Sequence, residues 1–404
     1  METKDPGYYR KLMESIEAGI PAISPHGGIG RGMKVGKEEM VGLLTAVNGS
    51  KLFIDSGNYE PALDKALKAV GYADMAKRKA EAKTRGKLLG VGLSTYIEVC
   101  GVAPSKWIGA VGEGWGAAMW ESSNIKVHLT GKVVVTMGTQ NHGQGHETTF
   151  AQIVAHELGV PMEDVIVQHS DTQGTPFGYG SYGSRTSNVG STAAVKAAGK
   201  VREKARRMAA HMLEASVDDI EVEGAKYFVK GSPDRAKTIG EIAFAAYTNH
   251  PAGMEAGLEA VDYYDPPNLT FPFGSYICVV DIDRATGVVS VRRFVAVDDC
   301  RNIINPMIVD GQIHGGLTQG FGTAMMELIS FDEDGNCFGG NFMDYLIPTA
   351  VESPDWTLGE CTTPSPHHPI GAKGVGESPT VGSPQAFVNA VVDALHPYGV
   401  TNID

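Results

Sequence analysis

The sequence predicts an α/β protein of mixed α+β type in which two related units, each a strand hairpin, a loop and a helix, face a shared cleft. The first observation behind this reading is that the pattern of hairpin, loop and helix occurs twice along the chain. The second is that 51 glycines follow no collagen-like period and gather where loops run into helices, so they read as backbone cradles. The third is size: 404 residues with 42% hydrophobic content suffice for two or three globular units and a buried cavity.

Residues 1–52 carry two candidate helices, near Tyr8 to Ala18 and near Lys37 to Val47, around a Gly/Pro-containing stretch from Gly19 to Gly36. From Asn58 to Gly86, the residues Leu63, Leu67, Val70 and Met75 fall at helical spacing. The overlapping basic stretch Lys65 to Lys87 reads as a solvated or subunit-facing helix side. Strand character begins at Gly90. Ile125 to Val135 alternates about a Thr-Gly turn, which predicts a hairpin. The loop His142-Gly-Gln-Gly-His146 follows, then a helix with Phe150, Ile153, Val154 and Leu158 on one face, stopped by Gly159 and Pro161. The Ser/Gly loop Gly178 to Asn188 leads into a long helix from Ser191 to about Ala215, with Ser191 as its cap. Cys278 to Val291 repeats the hairpin, followed by the loop Asp299 to Pro306 and a helix that aligns Ile313, Leu317, Phe321 and Leu328. A last helix takes Ser383 as cap and Pro384 at its first position. These segments divide the chain into residues 1–52 and a domain over 53–404, with subdomains at about 88–260 and 261–404.

The formal charge of −13 argues against a nucleic-acid partner. Five widely spaced cysteines without a CxxC pair read as reduced thiols of a cytoplasmic protein, with no structural zinc or iron–sulfur cluster in this chain. The N-terminal residues lack a basic-then-apolar signal pattern, and no uninterrupted apolar run could span a bilayer.

Two motifs resemble signatures they do not fulfil. Gly178-Tyr-Gly180-Ser-Tyr-Gly183 satisfies G-x-G-x-x-G, but a dinucleotide turn needs its first glycine directly after a strand and an acid at the end of the next strand. Here a loop intervenes, and the acid at the right distance, Glu203, lies inside a helix. His142-x-x-x-His146 has the spacing of helical zinc ligands, yet two intervening glycines disfavour a helix and Glu147 stands outside the HExxH position. What remains is a set of loops rich in backbone N–H, amide and hydroxyl donors at helix N-termini, suited to an anionic, heteroatom-rich ligand carrying phosphates. The stretch Gly371-Ala-Lys-Gly-Val-Gly-Glu377-Ser-Pro379 adds one carboxylate beside two glycines that permit positive φ and close backbone approach. Alone, it also reads as an exposed glutamate in a flexible loop.

Taken together, Thr139 to Thr149, Tyr182 to Ser187, Asp299 to Pro306 with Gly311 to Gly316, and Lys373-Gly-Val-Gly-Glu377 resemble the molybdopterin-binding large subunit of the molybdenum hydroxylases. This is the family of xanthine oxidase, aldehyde oxidase and carbon monoxide dehydrogenase. The resemblance runs from about Phe53 onward. It implies that Gly143, Gln144, Gly145 and His146 bind a molybdenum–pyranopterin dinucleotide, in its cytosine form, through backbone and amide donors. It implies a second pterin loop at Tyr182, Gly183, Ser184, Arg185, Thr186 and Ser187, and a third through Cys300, Asn305 and Gln312. Cys300 reads equally as a small buried core thiol. Lys373, Gly374, Val375 and Gly376 would complete the cofactor site and present Glu377 as the catalytic base. The metal would need no protein ligand, because the pterin dithiolene holds it.

The implied activity is hydroxylation of a carbon centre in a small-molecule substrate, with water as the oxygen source. Electrons would leave through separate iron–sulfur and FAD subunits. Family large subunits are longer, with an upstream half not visible here, and Arg301 stands where a glycine is usual. The chain therefore reads as a second half that needs a complementary N-terminal-half chain. The rival reading is a non-catalytic scaffold that keeps the fold and binds no cofactor.

Overall fold

A computed structural model describes residues 59–403 apart from 102–103, 110–115 and 301. The helices expected near Tyr8 to Ala18 and Lys37 to Val47, the segment 1–52, the start of the family match at Phe53 and the unusual Arg301 lie outside the described residues. Among the described residues no helix is long and apolar enough to cross a membrane.

The repeated pattern folds as two four-stranded sheets with the same internal order. In the first, β2 (Glu121–Val127) and β3 (Val133–Met137) form the hairpin, α3 (His146–Leu158) follows, and β4 (Val165–Gln168) returns parallel to β3. In the second, β9 (Phe273–Asp283) and β10 (Val289–Asp299) form the hairpin, α6 (Pro306–Met325) follows, and β13 (Trp356–Glu360) returns parallel to β10. The free side of each hairpin is filled by a strand from the other end of the chain: β8 (Leu258–Tyr264) pairs with β2, and β1 (Lys87–Ile97) pairs with β9. The expected subdomain limits near 88 and 261 therefore do not coincide with sheet limits, since β1 belongs to the second sheet. The hairpin β11 (Ser330–Phe331) and β12 (Cys337–Phe338) and a small antiparallel sheet of β5 (Ile220–Glu223), β6 (Lys226–Val229) and β7 (Ser232–Thr238) complete the set.

The first sheet is covered by α3, the long α4 (Ser191–Leu213) and α5 (Ile239–Thr248), which build one apolar core around Phe150, Val154, Val201 and Met208. The second sheet is covered on both faces, and β9 reads buried along nearly its whole length as that position requires. On one face lie α1 (Glu60–Val70) and α2 (Met75–Thr84), on the other α6 and α7 (Ser378–Leu395). Small residues let α7 approach β1 closely. A Cβ at Gly90 would stand 1.9 Å from the Ala390 carbonyl oxygen, and one at Gly92 2.0 Å from that of Ala386. Phe387 ties α7 to its neighbours, with its ring centroid 4.8 Å from Phe294 and 5.6 Å from Phe321. Such pairs add about 0.5–1.5 kcal/mol each beyond area burial. The seating of α7 matters because its first residue follows Glu377.

Several local expectations are corrected. The helical stretch from Asn58 to Gly86 is two helices, broken where Gly71 takes the left-handed conformation at φ 69°. Their solvated side is as expected, with only Met75 and Ala82 of α2 buried. Leu328 lies beyond α6 and is 68% exposed, because α6 ends at Met325. Ser191 does not cap α4; a π-helical turn over Thr186–Gly190 feeds directly into it, and Ser191 is buried within the helix. Ser383 and Pro384 lie inside α7, which begins at Ser378 with Pro379 in its first turn. Ser383 Oγ bonds the Pro379 carbonyl at 2.6 Å, the back-bonding a mid-helix serine makes.

Candidate active site

The four loops converge on one cleft of about 430 Å³. The first loop ends at the N-terminus of α3. Gly143 and Gly145 take φ of 119° and 73°, and a Cβ on Gly145 would meet Ile308 Cδ1 at 2.8 Å. Both glycines are therefore required by conformation, and Gly145 also by contact. The loop is tied to itself and to the second: Gln144 Oε1 accepts from the His142 N–H at 2.7 Å, and the Gln140 N–H donates to Ser181 Oγ at 3.1 Å. His146 Nδ1 lies 3.1 Å from the Gln140 carbonyl, and burial holds the imidazole pKa below its usual value.

The second and third loops divide into residues that face the cleft and residues that brace it. Ser184, Ser187, Gln312 and Cys300 line the cleft, Cys300 at 5% exposure. Thr186 is buried, its hydroxyl 2.7 Å from Ser181 Oγ, while Tyr182 stands partly exposed at the rim. The Arg185 guanidinium is held by the protein itself. It is fully buried, paired with Glu121 on β2, and donates to the carbonyls of Met119 and Gly180 at 2.7 Å each. Asn305 caps α6 through its Oδ1, 3.1 Å from the Ile308 N–H, and its Nδ2 donates to Gln152 of α3 at 3.0 Å. Both side chains lock loops in place, and both residues belong to the lining of the cleft.

The fourth loop carries Glu377. Lys373 is buried with its Nζ 3.6 Å from Asp299, and its N–H donates to the Cys300 carbonyl at 3.0 Å, which joins the third loop to the fourth. Gly374 packs on the second loop: a Cβ there would fall 1.8 Å from the Ser184 carbonyl oxygen. Neither Gly374 nor Gly376 takes the positive φ expected of them; it is Gly371 that does, at 69°. Val375 and Gly376 line the cleft wall leading to Glu377. Glu377 ends exposed to the cleft at the N-terminus of α7. Its Oε2 accepts from Ser184 Oγ at 2.7 Å, and its N–H donates to the same oxygen at 3.2 Å. Oε1 has no hydrogen-bond partner among the described residues.

The sequence reading missed Glu98. It follows β1, is 8% exposed, and accepts from Ser184 Oγ at 2.7 Å and from Ser378 Oγ. Burial above all pushes its pKa up to about 7, against the lowering effect of the two serines. Asp298 lies nearby, raised to about 6 by burial and bonded to Tyr96 and Tyr276. The available signal was phase: from Gly90 onward along β1 the even positions are the buried ones, and Glu98 continues that phase with a carboxylate.

The N-termini of α3, α6 and α7 all open on the cleft, and Gln144, His146, Ser187 and Gln312 add side-chain donors. Positive helix ends, fixed amides and a close-approach glycine at 145 fit an anionic, heteroatom-rich group. Comparison with known proteins agrees. The molybdopterin cofactor-binding domain family matches residues 65–354. The carbon monoxide dehydrogenase large chain of Hydrogenophaga pseudoflava is 52% identical over 354 residues, which is 87% of this chain and 44% of that protein. Among solved structures, the reconstituted carbon monoxide dehydrogenase from Oligotropha carboxidovorans superposes with a TM-score of 0.80 at 47% identity, over 87% of this chain and 44% of that one. Quinoline 2-oxidoreductase from Pseudomonas putida 86 gives 0.78 at 39% identity, over 85% and 44%. The chain thus spans less than half the length of the relatives it matches. With the family match covering most of the domain and the loops meeting at one cleft, the chain belongs to the molybdopterin cofactor-binding family of molybdenum hydroxylase large subunits.

Proposed function

We propose that this chain supplies the cofactor-holding, base-bearing half of a cytoplasmic molybdenum hydroxylase that oxidises a carbon centre of a small molecule with oxygen from water. The observation that carries this reading is the meeting of all four loops at one cleft with Glu377 opening into it. Gly143, Gln144, Gly145 and His146, with Ser187 and Gln312, would hold the pyranopterin dinucleotide, taken to be the cytosine form. When bound, the molybdenum centre supplies the two-electron redox chemistry. Glu377 then acts as general base through Oε1, while Ser184 holds Oε2 and the backbone N–H at 2.7 and 3.2 Å.

The partners are a complementary half of the large subunit, in the same polypeptide or another, and chains carrying FAD and iron–sulfur clusters. Supporting this, Leu328, Ile329, Phe331, Phe342, Met343 and Val351 are all more than half exposed in one stretch, Val351 at 89%. Apolar surface so concentrated marks an interface. Molybdenum and pterin analysis of the assembly purified with its partners tests the reading. About one molybdenum per chain is expected. An intact assembly without the metal would establish the non-catalytic scaffold instead.

A further inference from the structure

Glu98 lies behind Ser184, beneath Glu377, and the arrangement restricts where a proton can sit. Ser184 Oγ stands 2.7 Å from Glu98 Oε1 and 2.7 Å from Glu377 Oε2, and it accepts the Glu377 N–H at 3.2 Å. A hydroxyl has one proton to give and two lone pairs to receive with. If both carboxyls were ionised, one of these short contacts would set lone pair against lone pair. All three contacts are satisfied together only when one carboxyl donates a proton to Ser184 and Ser184 donates its own to the other.

Burial decides which carboxyl that is. Glu98 is 8% exposed, whereas Glu377 opens to the cleft at a positive helix end. We propose that Glu98 holds the single proton of this carboxyl pair and, through the Ser184 hydroxyl, keeps Glu377 ionised and aimed into the cleft. Glu98 is thus a positioning residue. The proton path is fixed by the geometry: Glu98 Oε1–H donates to Ser184 Oγ, and Ser184 Oγ–H donates to Glu377 Oε2, leaving Oε1 open. The surroundings act in the same sense. After burial itself, the charges of Glu377 at the start of α7 and Asp298 on β10 disfavour a second anion at Glu98, whose pKa stands at about 7. Tyr276 on β9 and Cys100 just beyond β1 also face this carboxyl, and both are held neutral by burial first. The nearby cation Lys373 is spoken for by Asp299.

The inference rests on Glu377 being the base, and its test separates the two ideas. Infrared difference spectra of the assembled complex across pH are expected to show a protonated-carboxyl C=O band that titrates near 7, the value for Glu98, and is missing in Glu98→Gln. In turnover, Glu98→Ala should lower kcat about tenfold with little change in KM, as loss of a hydrogen bond in a charged network does. Glu98→Gln, whose amide N–H can still donate to Ser184, should recover most of that loss and should lack the fall in kcat expected of the unmodified complex as Glu98 loses its proton above about pH 7. Should the Glu98 variants fail to assemble, Ser184→Ala carries the test: the band persists but moves in frequency. No titrating band in the unmodified complex, a band indifferent to Glu98→Gln, or one unmoved by Ser184→Ala overturns the proposal. A complex without molybdenum or turnover would sink the functional reading alone, since the infrared titration needs neither.

Discussion

Gly374 packs so closely on the second loop that a single methyl group probes the site. A Cβ there would lie 1.8 Å from the Ser184 carbonyl oxygen and 2.6 Å from the Ser184 Cβ. Real Cβ contacts essentially never fall under 3.0 Å, so Gly374→Ala needs a displacement of about 1.2 Å, the difference between 3.0 and 1.8 Å. The obstructing atom is backbone and cannot rotate aside on its own. Movement therefore falls on the segment leading to Glu377 or on Ser184, and a shift of that size takes their 2.7 Å contact out of hydrogen-bond range. We expect kcat in the assembled complex to fall about 10²-fold, the scale on which misplacement by about 1 Å acts. Overpacking should cost about 1–3 kcal/mol of stability as well. Gly376→Ala is the matched comparison, because its Cβ would meet only Gln312 Oε1 at 3.7 Å and Ser184 Oγ at 3.9 Å, and its loss should be far smaller. The assay is steady-state kinetics with an artificial electron acceptor, with Tm and molybdenum content taken on the same samples. If Gly374→Ala matches Gly376→Ala in both kcat and Tm, the loop contact does not position Glu377 and the reasoning is wrong.

Glu377→Gln keeps size and hydrogen-bonding capacity but loses the base, so reduction by substrate should slow about 10²- to 10⁴-fold at near-normal molybdenum content; near-normal rapid-mixing rates would return Glu377 to a solvated loop residue. Gly145→Val meets Ile308 at 2.8 Å and a φ of 73° that valine avoids, and with Gln144→Ala it should lower molybdenum occupancy by metal analysis, whereas full occupancy in both would remove that loop from cofactor binding. Stability should also depend on pH through Glu98. Its pKa rises from 4.5 to about 7 on folding, so its contribution is full below about 4.5 and is lost as pH rises through about 7, on the order of 3 kcal/mol. Glu98→Gln should then gain Tm over the unmodified protein at about pH 8 and gain nothing at about pH 5, and equal Tm differences at both would contradict the burial of a neutral Glu98.

Much of the fold was legible because it is local. The hairpins about Thr130-Gly131 and Thr286-Gly287, the face of α3 with Phe150, Val154 and Leu158, and the stop at Gly159 follow from period and turn chemistry. The loop motifs pointed to one cleft, and the structure brings them there. What was not legible depends on partners distant in sequence. Nothing in the alternation of Lys87–Ile97 says that it pairs with β9 and not with its neighbour β2. The pairing of Arg185 with Glu121 and of Asn305 with Gln152 joins residues far apart in the chain, which no motif announces. Ser383 and Pro384 carry a strong helix-start signal, but the helix already runs from Ser378, because Ser378 bonds Glu98 and Pro379 packs on Gly316 of α6, which hold its first turn in place. Glu98 was overlooked for the opposite reason: a single carboxylate at the end of a strand carries no motif, and its meaning lies in Ser184 and Ser378, which only the fold supplies.

The exchange of β1 and β8 between the sheets sets an order of events during synthesis. β1 pairs Lys87 with Asp283, so it must wait for nearly two hundred further residues before its neighbour in the second sheet exists. The first sheet is free to close as soon as β8 has left the ribosome, at Tyr264. Until its partner strand is made, β1 waits on the nascent chain without α7 against its two glycines, and α7 follows the strands of both sheets in the sequence. The contacts of greatest sequence separation form slowly. The place where Glu98 and Glu377 meet through Ser184 is therefore assembled only after both sheets have their strands, and no nascent intermediate that lacks α7 can present the base to a cofactor.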